Sequence, residues 1–162
     1  MPGTDTAPVA LREITADTVR EVIRLAVAPE QQGFVAANAI SLAQALFAPE
    51  AWYRAIYAGE SPVGFVMLYD ESLRPAPPER PEVGIWRFMV DARYQGRGYG
   101  GAALQQVIAH VRAKRVFSSL QVSYVPGPGC PEPFYVRAGF RHTGRLDEGE
   151  IVLELPIGPD VR

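Results

Sequence analysis

The chain has 162 residues, 48% of them hydrophobic and 21% charged, with a formal net charge of −2. That is enough for one domain with its own core; no apolar run approaches the ~18 residues of a membrane-spanning helix, and the charge balance does not suit general nucleic-acid binding. The opening MPGTDTAPVALRE lacks the basic-then-apolar layout of a signal peptide, and a lone cysteine, Cys130, allows no intrachain disulfide, so a cytoplasmic protein is expected.

In chain order, residues 1–7 read as a flexible lead and Val9 to Ile14 as a first strand. Thr18 and Glu21 have capping-box spacing, with Thr15 or Asp17 as alternative caps, and Val19, Val22, Ile23 and Ala26 form the inward face of a first helix that Pro29 stops. Ser41 and Gln44 repeat that spacing before a short helix whose inward residues are Leu42, Ala45 and Leu46. Trp52 to Tyr57 and Val63 to Tyr69 are strands around a turn at 58–61. The segment 74–82, RPAPPERPE, carries four prolines and reads as an exposed loop. Ile85 to Val90 is a strand, and Val116 to Tyr124 another. Pro131 to Ala138 is a short helix that Gly139 ends. Phe140 to Leu146 and Ile151 to Leu155 form a last hairpin, and 157–162 read as a flexible tail. The order β-α-α-β-β-β-α-β-α-β-β, without internal repeat, implies one mixed α/β domain over residues 8–156.

The centre of this pattern is Ile85 to Arg112. A strand runs into a glycine-dense turn holding Gly96, Gly98, Gly100 and Gly101, and then into a helix with Ala103, Leu104, Val107, Ile108 and Val111 on one face. Free N–H groups and the positive dipole end at such a helix start suit phosphate. Gly96, Gly98 and Gly101 satisfy G-x-G-x-x-G, but the acid that a dinucleotide site needs about 20 residues on is missing. Ala92 to Pro131 contains no Asp or Glu at all, while it holds Arg93, Arg97, Arg112, Lys114 and Arg115. No G-K-[ST] follows the glycines, which excludes the phosphate loop of nucleoside-triphosphatases.

Gln95-Gly96-Arg97-Gly98-Tyr99-Gly100 resembles the Q/R-x-x-G-x-G/A signature of the Gcn5-related N-acetyltransferases (GNAT). The resemblance covers residues 8–156. It implies a mixed sheet whose fourth and fifth strands splay apart, with acetyl-CoA as co-substrate and no metal. The cofactor-binding residues it implies are Phe88, Met89 and Val90 on the fourth strand, and Gln95, Gly96, Arg97, Gly98, Tyr99, Gly100 and Gly101 at the turn. Phe134-Tyr135-x-x-x-Gly139-Phe140 resembles the family motif whose tyrosine protonates the leaving thiolate, which makes Tyr135 the candidate general acid. Two positions depart from the family. Pro128 stands where many members have a cofactor-binding Asn, and Gly84 stands where some have a glutamate base.

Glu30 to Ser41, Trp86 to Asp91 and Gly149 to Ile151 are similar to bacterial spermine/spermidine (diamine) acetyltransferases. A polyamine site asks for carboxylates and aromatic faces. Glu30, Phe34, Glu82 and Trp86 are the candidate substrate residues, with Glu148, Glu150 and Trp52 also available. The expected partner is therefore a small-molecule amine, without nucleic acid or membrane, and a homodimer is compatible with this reading. An aminoglycoside, a protein N-terminus or a non-catalytic acyl-CoA-binding module are the alternatives. Cys130 has no histidine near it in sequence and reads as a packed residue.

Overall fold

The structure, a computed structural model, describes residues 7–158. The element order is β1 (Val9–Arg12), α1 (Val19–Arg24), α2 (Asn38–Ala45), β2 (Ala51–Ala58), β3 (Ser61–Asp70), β4 (Val83–Val90), α3 (Tyr99–Lys114), β5 (Ser119–Tyr124), α4 (Glu132–Arg137), β6 (Arg141–Asp147) and β7 (Glu150–Pro156). This is the order expected from the sequence. The strands form one seven-stranded sheet, β1-β2-β3-β4-β5-β7-β6. Neighbours are antiparallel except β4 and β5, which run parallel.

A helix or a sheet must bury its apolar face against another element, and both faces of this sheet find one. On one face lies α3, whose 3.6-residue periodicity puts Ala103, Leu104, Val107, Ile108 and Val111 inward. They pack in one cluster with Val66, Leu68, Ile85, Leu120, Val122 and Leu153, and α4 joins through Tyr135. On the other face α1 sets Val22 against Phe65, Met67 and Met89. Each large side chain buried this way contributes roughly 1.5–3 kcal/mol. The β6–β7 connection is two residues, Glu148 at φ 48° and Gly149 at φ 84°. Positive φ at both positions matches the twist of a hairpin, which is why a glycine stands there.

Several local expectations differ from the structure. α1 is one turn shorter than its apolar pattern, because Leu25 turns extended. Of its expected inward face only Val22 is buried, and Ile23 and Ala26 are exposed. Thr18 gives no side-chain cap; its hydroxyl accepts from the Thr15 N–H instead (2.9 Å). The second capping box fails for a different reason. α2 begins at Asn38, so Ser41 lies inside the helix, buried, with its hydroxyl turned back to the Ala37 carbonyl (3.4 Å). That one-turn shift leaves Leu46 and Phe47 beyond the helix, 80% and 87% exposed. β5 starts at Ser119 rather than Val116, because Arg115 caps α3 in the left-handed region (φ 58°). The expected flexible tail lies mostly outside the described residues, but Ile157 and Gly158 are tied down, both donating their N–H to the Ser118 carbonyl. Of the expected lead only Ala7 is described, and it packs on the core.

Candidate active site

The parallel β4–β5 pairing holds only at Val83–Leu120, Gly84–Gln121 and Ile85–Val122. Beyond Ile85 the β4 strand continues to Val90, paired to β3 alone. The cause is local. Against β3, Met67 faces Arg87 and Leu68 faces Ile85, so Trp86 is the extra residue of a β-bulge. A bulge bends its strand and increases the twist. The two strands therefore part like a V, and the β4 backbone from Phe88 to Val90 has open space on its β5 side.

A cavity of about 430 Å³ fills that gap. Its walls are Ile85 to Val90 from β4, Val122 to Tyr124 from β5, Phe34 and Gln31 from the α1–α2 connection, and Cys130, Phe134 and Tyr135 around α4. A second cavity of about 440 Å³ lies over the glycine turn, between Tyr94 to Gly101 and α4. Val90, Gln95, Gly100, Phe134 and Arg137 line both, so the two spaces adjoin at the C-terminal end of β4.

The glycine turn is shaped for an anionic ligand. Gly98 is the N-cap of α3 in the left-handed conformation (φ 84°), which a residue with a Cβ rarely adopts. A Cβ added at Gly96, Gly98 or Gly101 would meet nothing within 4 Å, so there is open space beside the backbone of the turn. α3 is 16 residues long, and its free N-terminal N–H groups carry the positive end of its dipole. The residues present thus fit a pyrophosphate. The basic side chains contribute less than the acid-free interval suggests. Arg112, Lys114 and Arg115 sit at the other end of α3, about 20 Å away at 1.5 Å per residue. Lys114 pairs with buried Asp70, and Arg93 pairs with Asp91 (2.9 Å). Arg97 remains at the turn, exposed beside Tyr94. The Gln95 side chain is taken up by the protein, donating to the Val90 carbonyl (2.9 Å) and to Gln31 (2.9 Å).

Tyr135 is buried, with Phe134 and Phe140 edge-on to its ring at 5.1 and 5.5 Å. It lines the cavity in the strand gap. Burial alone raises the pKa of its hydroxyl far above the ordinary phenol value, with no hydrogen bond or charge contributing. At neutral pH it is a protonated donor.

The expected substrate residues divide. Phe34 and Trp86 line the gap cavity, but Glu30 and Glu82 are exposed and line neither cavity. Trp52 is on the other face, stacked on His110 at 4.2 Å, and Glu148 is at an exposed turn. Tyr69 fills the place of a side chain at Gly84: a Cβ there would come within 2.4 Å of its ring. Cys130 does line the gap cavity. So do Arg87, Ser123 and Tyr124, which the sequence pattern does not single out. Alternation along β5 puts Ser123 on the face away from α3, but only the splay turns that position into a cavity wall.

A strand-splayed mixed sheet with a glycine turn opening α3 narrows the choice of family, and comparison with known proteins decides it. The model of the acetyltransferase (GNAT) family matches residues 34–140. The chain belongs to that family. Among GNAT relatives, the chain is 31% identical over 104 residues to an L-2,4-diaminobutyric acid acetyltransferase of Streptomyces avermitilis, a match covering 64% of this chain and 54% of that protein. It thus spans little more than half the length of that relative. It is 29% identical over 157 residues to the spermine/spermidine N(1)-acetyltransferase of Bacillus subtilis, covering 88% of this chain and 95% of that one. The fold matches the crystal structure of an acetyltransferase from Thermus thermophilus with a TM-score of 0.70 at 19% identity, over 93% of this chain and 98% of that one. No helix among the described residues is long and apolar enough to cross a membrane. Nor do three or more His, Cys, Asp or Glu gather there to hold a metal ion.

Proposed function

We propose that the protein transfers the acetyl group of acetyl-CoA to a primary amine of a small diamine or polyamine. The observation that carries this reading is the adjoining pair of cavities, one over the α3 amides and one in the strand gap with Tyr135 in its wall. In this reading the amides from Arg97 to Gly101 hold the pyrophosphate, and the free β4 edge at Phe88, Met89 and Val90 holds the pantetheine arm and the thioester carbonyl. Backbone N–H groups so placed stabilise the oxyanion as the amine attacks. The C–N bond forms, the C–S bond breaks, and the Tyr135 hydroxyl offers its proton to the departing sulfur. The acceptor enters from the side of Phe34 and Trp86, whose rings suit the alkyl chain and charge of an amine.

Similarity to the spermine/spermidine enzyme over nearly the whole chain supports a polyamine acceptor. The charge of the cavity favours a second reading. The two charged side chains that line it are Arg87 and Arg137, and no carboxylate does. The Arg87 Nε is buried without a partner. A diamino acid, which brings its own carboxylate, would satisfy it; a diaminobutyric acid enzyme is among the relatives. The test is a thiol-release assay with spermidine, spermine and 2,4-diaminobutyrate at equal concentrations. Turnover of the polyamines above the diamino acid supports the first reading, and the reverse order the second. Binding of acetyl-CoA with no amine turned over would leave an acyl-CoA-binding module.

A further inference from the structure

The acceptor amine arrives from water as an ammonium ion and must lose a proton before it can attack. The family's glutamate position offers nothing here, because Gly84 is roofed by the Tyr69 ring. Another carboxylate stands behind the opposite wall of the gap, one hydrogen bond from the cavity. Ser123 on β5 pairs with Val152 on β7, so Glu150, two residues from Val152, lies on the same face of the sheet. The Ser123 Oγ donates to the Glu150 Oε2 at 2.9 Å. Ser123 lines the gap cavity, across from Trp86 and Arg87 of the bulge, while Glu150 sits behind it. Arg87 faces the same side, opposite Met67, and is close enough to Glu150 to feel its charge.

We propose that Glu150 accepts, through the Ser123 hydroxyl, the proton that the incoming ammonium loses. The ammonium N–H passes its proton to the Ser123 oxygen while the Ser123 hydroxyl proton moves to the Glu150 carboxylate. The amine is left with its lone pair, Ser123 is unchanged, and half-buried Glu150 returns the proton to solvent. Arg87 favours the donor end of this transfer, because its charge opposes a second cation in the cavity. This assignment rests on the acetyl-transfer reading and adds the path of the proton. Other charged groups surround this end of the sheet. Asp147 pairs with Glu150 across the β6–β7 hairpin, and Arg145, Glu82 and Glu71 join Asp147 in acting on the Tyr69 hydroxyl. Each of these can shape a pH profile, so the test compares variants rather than one curve.

The experiment measures kcat/KM against pH for wild type, Glu150→Gln and Ser123→Ala, with whichever amine the assay above selects. Gln keeps the length and the acceptor oxygen for Ser123 but is no base. Near neutral pH the Gln variant should fall by ~10²-fold, the usual worth of general base catalysis. That deficit should close as pH rises toward the pKa of the amine, because solvent then removes the proton. Ser123→Ala should show the same convergence, and it carries the test should the Gln variant fail to fold. A deficit of equal size at every pH, or none, would overturn the assignment while leaving acetyl transfer intact. A wild type that binds acetyl-CoA but acetylates no amine would overturn the transfer reading and this one with it.

Discussion

Tyr135 shows what burial does to a single side chain. Its hydroxyl is pushed to a higher pKa by burial, so it holds its proton throughout the range where proteins fold. The same shift makes it a weaker acid, so in the proposed reaction its worth would lie in position, in the wall of the gap cavity. Replacing it by Phe keeps the ring and its edge-on contacts with Phe134 and Phe140. Stability and acetyl-CoA affinity should stay near wild type, while kcat and kcat/KM fall together by ~10²-fold, as for a contact made in the transition state. Steady-state rates beside a thermal melt check this. Undiminished kcat, with chemistry shown to be rate-limiting, would make Tyr135 a packing residue.

Elements were legible in the sequence where one local pattern decides them. The β4-to-α3 passage could be read from its glycines and from the i, i+3, i+4, i+7 stripe of Leu104, Val107, Ile108 and Val111. The capping boxes could not, because Thr18 and Ser41 fit the motif by spacing while tertiary packing chose another start. The bulge at Trp86 leaves no mark in the sequence of β4, an apolar run broken beyond Gly84 only by Arg87. The Ser123–Glu150 contact joins residues 27 apart and needs the β5–β7 register. Asp91 is another such joint. It stands just after β4, buried, and accepts from the N–H groups of Ala26 and Arg93, both at 2.9 Å. It thereby pins the α1–α2 connection, with Gln31 and Phe34, to the strand that lines the gap. Burial raises its pKa, but the hydrogen bonds from Arg93 and Ala26 and the Arg93 charge outweigh that and lower it overall. A depressed carboxylate contributes stability that is complete above its unfolded pKa of about 3.9 and is lost as pH falls through the lower folded value. Asp91→Asn should therefore be less stable than wild type by about 1–3 kcal/mol at pH 7. The gap should narrow as acid protonates Asp91 in the native protein. Denaturant melts of both proteins from pH 7 downward test this; a gap that stays constant into acid would show that the charge of Asp91 is not what matters.

At the scale of the molecule, the sheet is two half-sheets, β1-β2-β3-β4 and β5-β7-β6, joined by three residue pairs between β4 and β5. Both cavities straddle that seam, with β4 and the α3 turn on one side and β5 or α4 on the other. A ligand bound there bridges the halves and stabilises the folded state as a whole. At 100 times its Kd the gain is ~2.7 kcal/mol, and at about 2–4 °C per kcal/mol for a chain of this size the melting midpoint should rise by roughly 5–10 °C. Acetyl-CoA should do this and NADH should not, since the interval after the turn has no acid for a ribose diol. Gly100→Asp separates the ligand's effect from that of the fold. A Cβ there would sit in ordinary contact with Val90 and Phe134, at 3.4 and 3.5 Å, and an acid in the first turn of a helix favours its dipole. The unliganded variant should therefore melt near wild type. Its carboxylate, however, would stand where the pyrophosphate is expected, so the acetyl-CoA shift should vanish. A variant that keeps the full shift would place the pyrophosphate elsewhere than over the α3 amides.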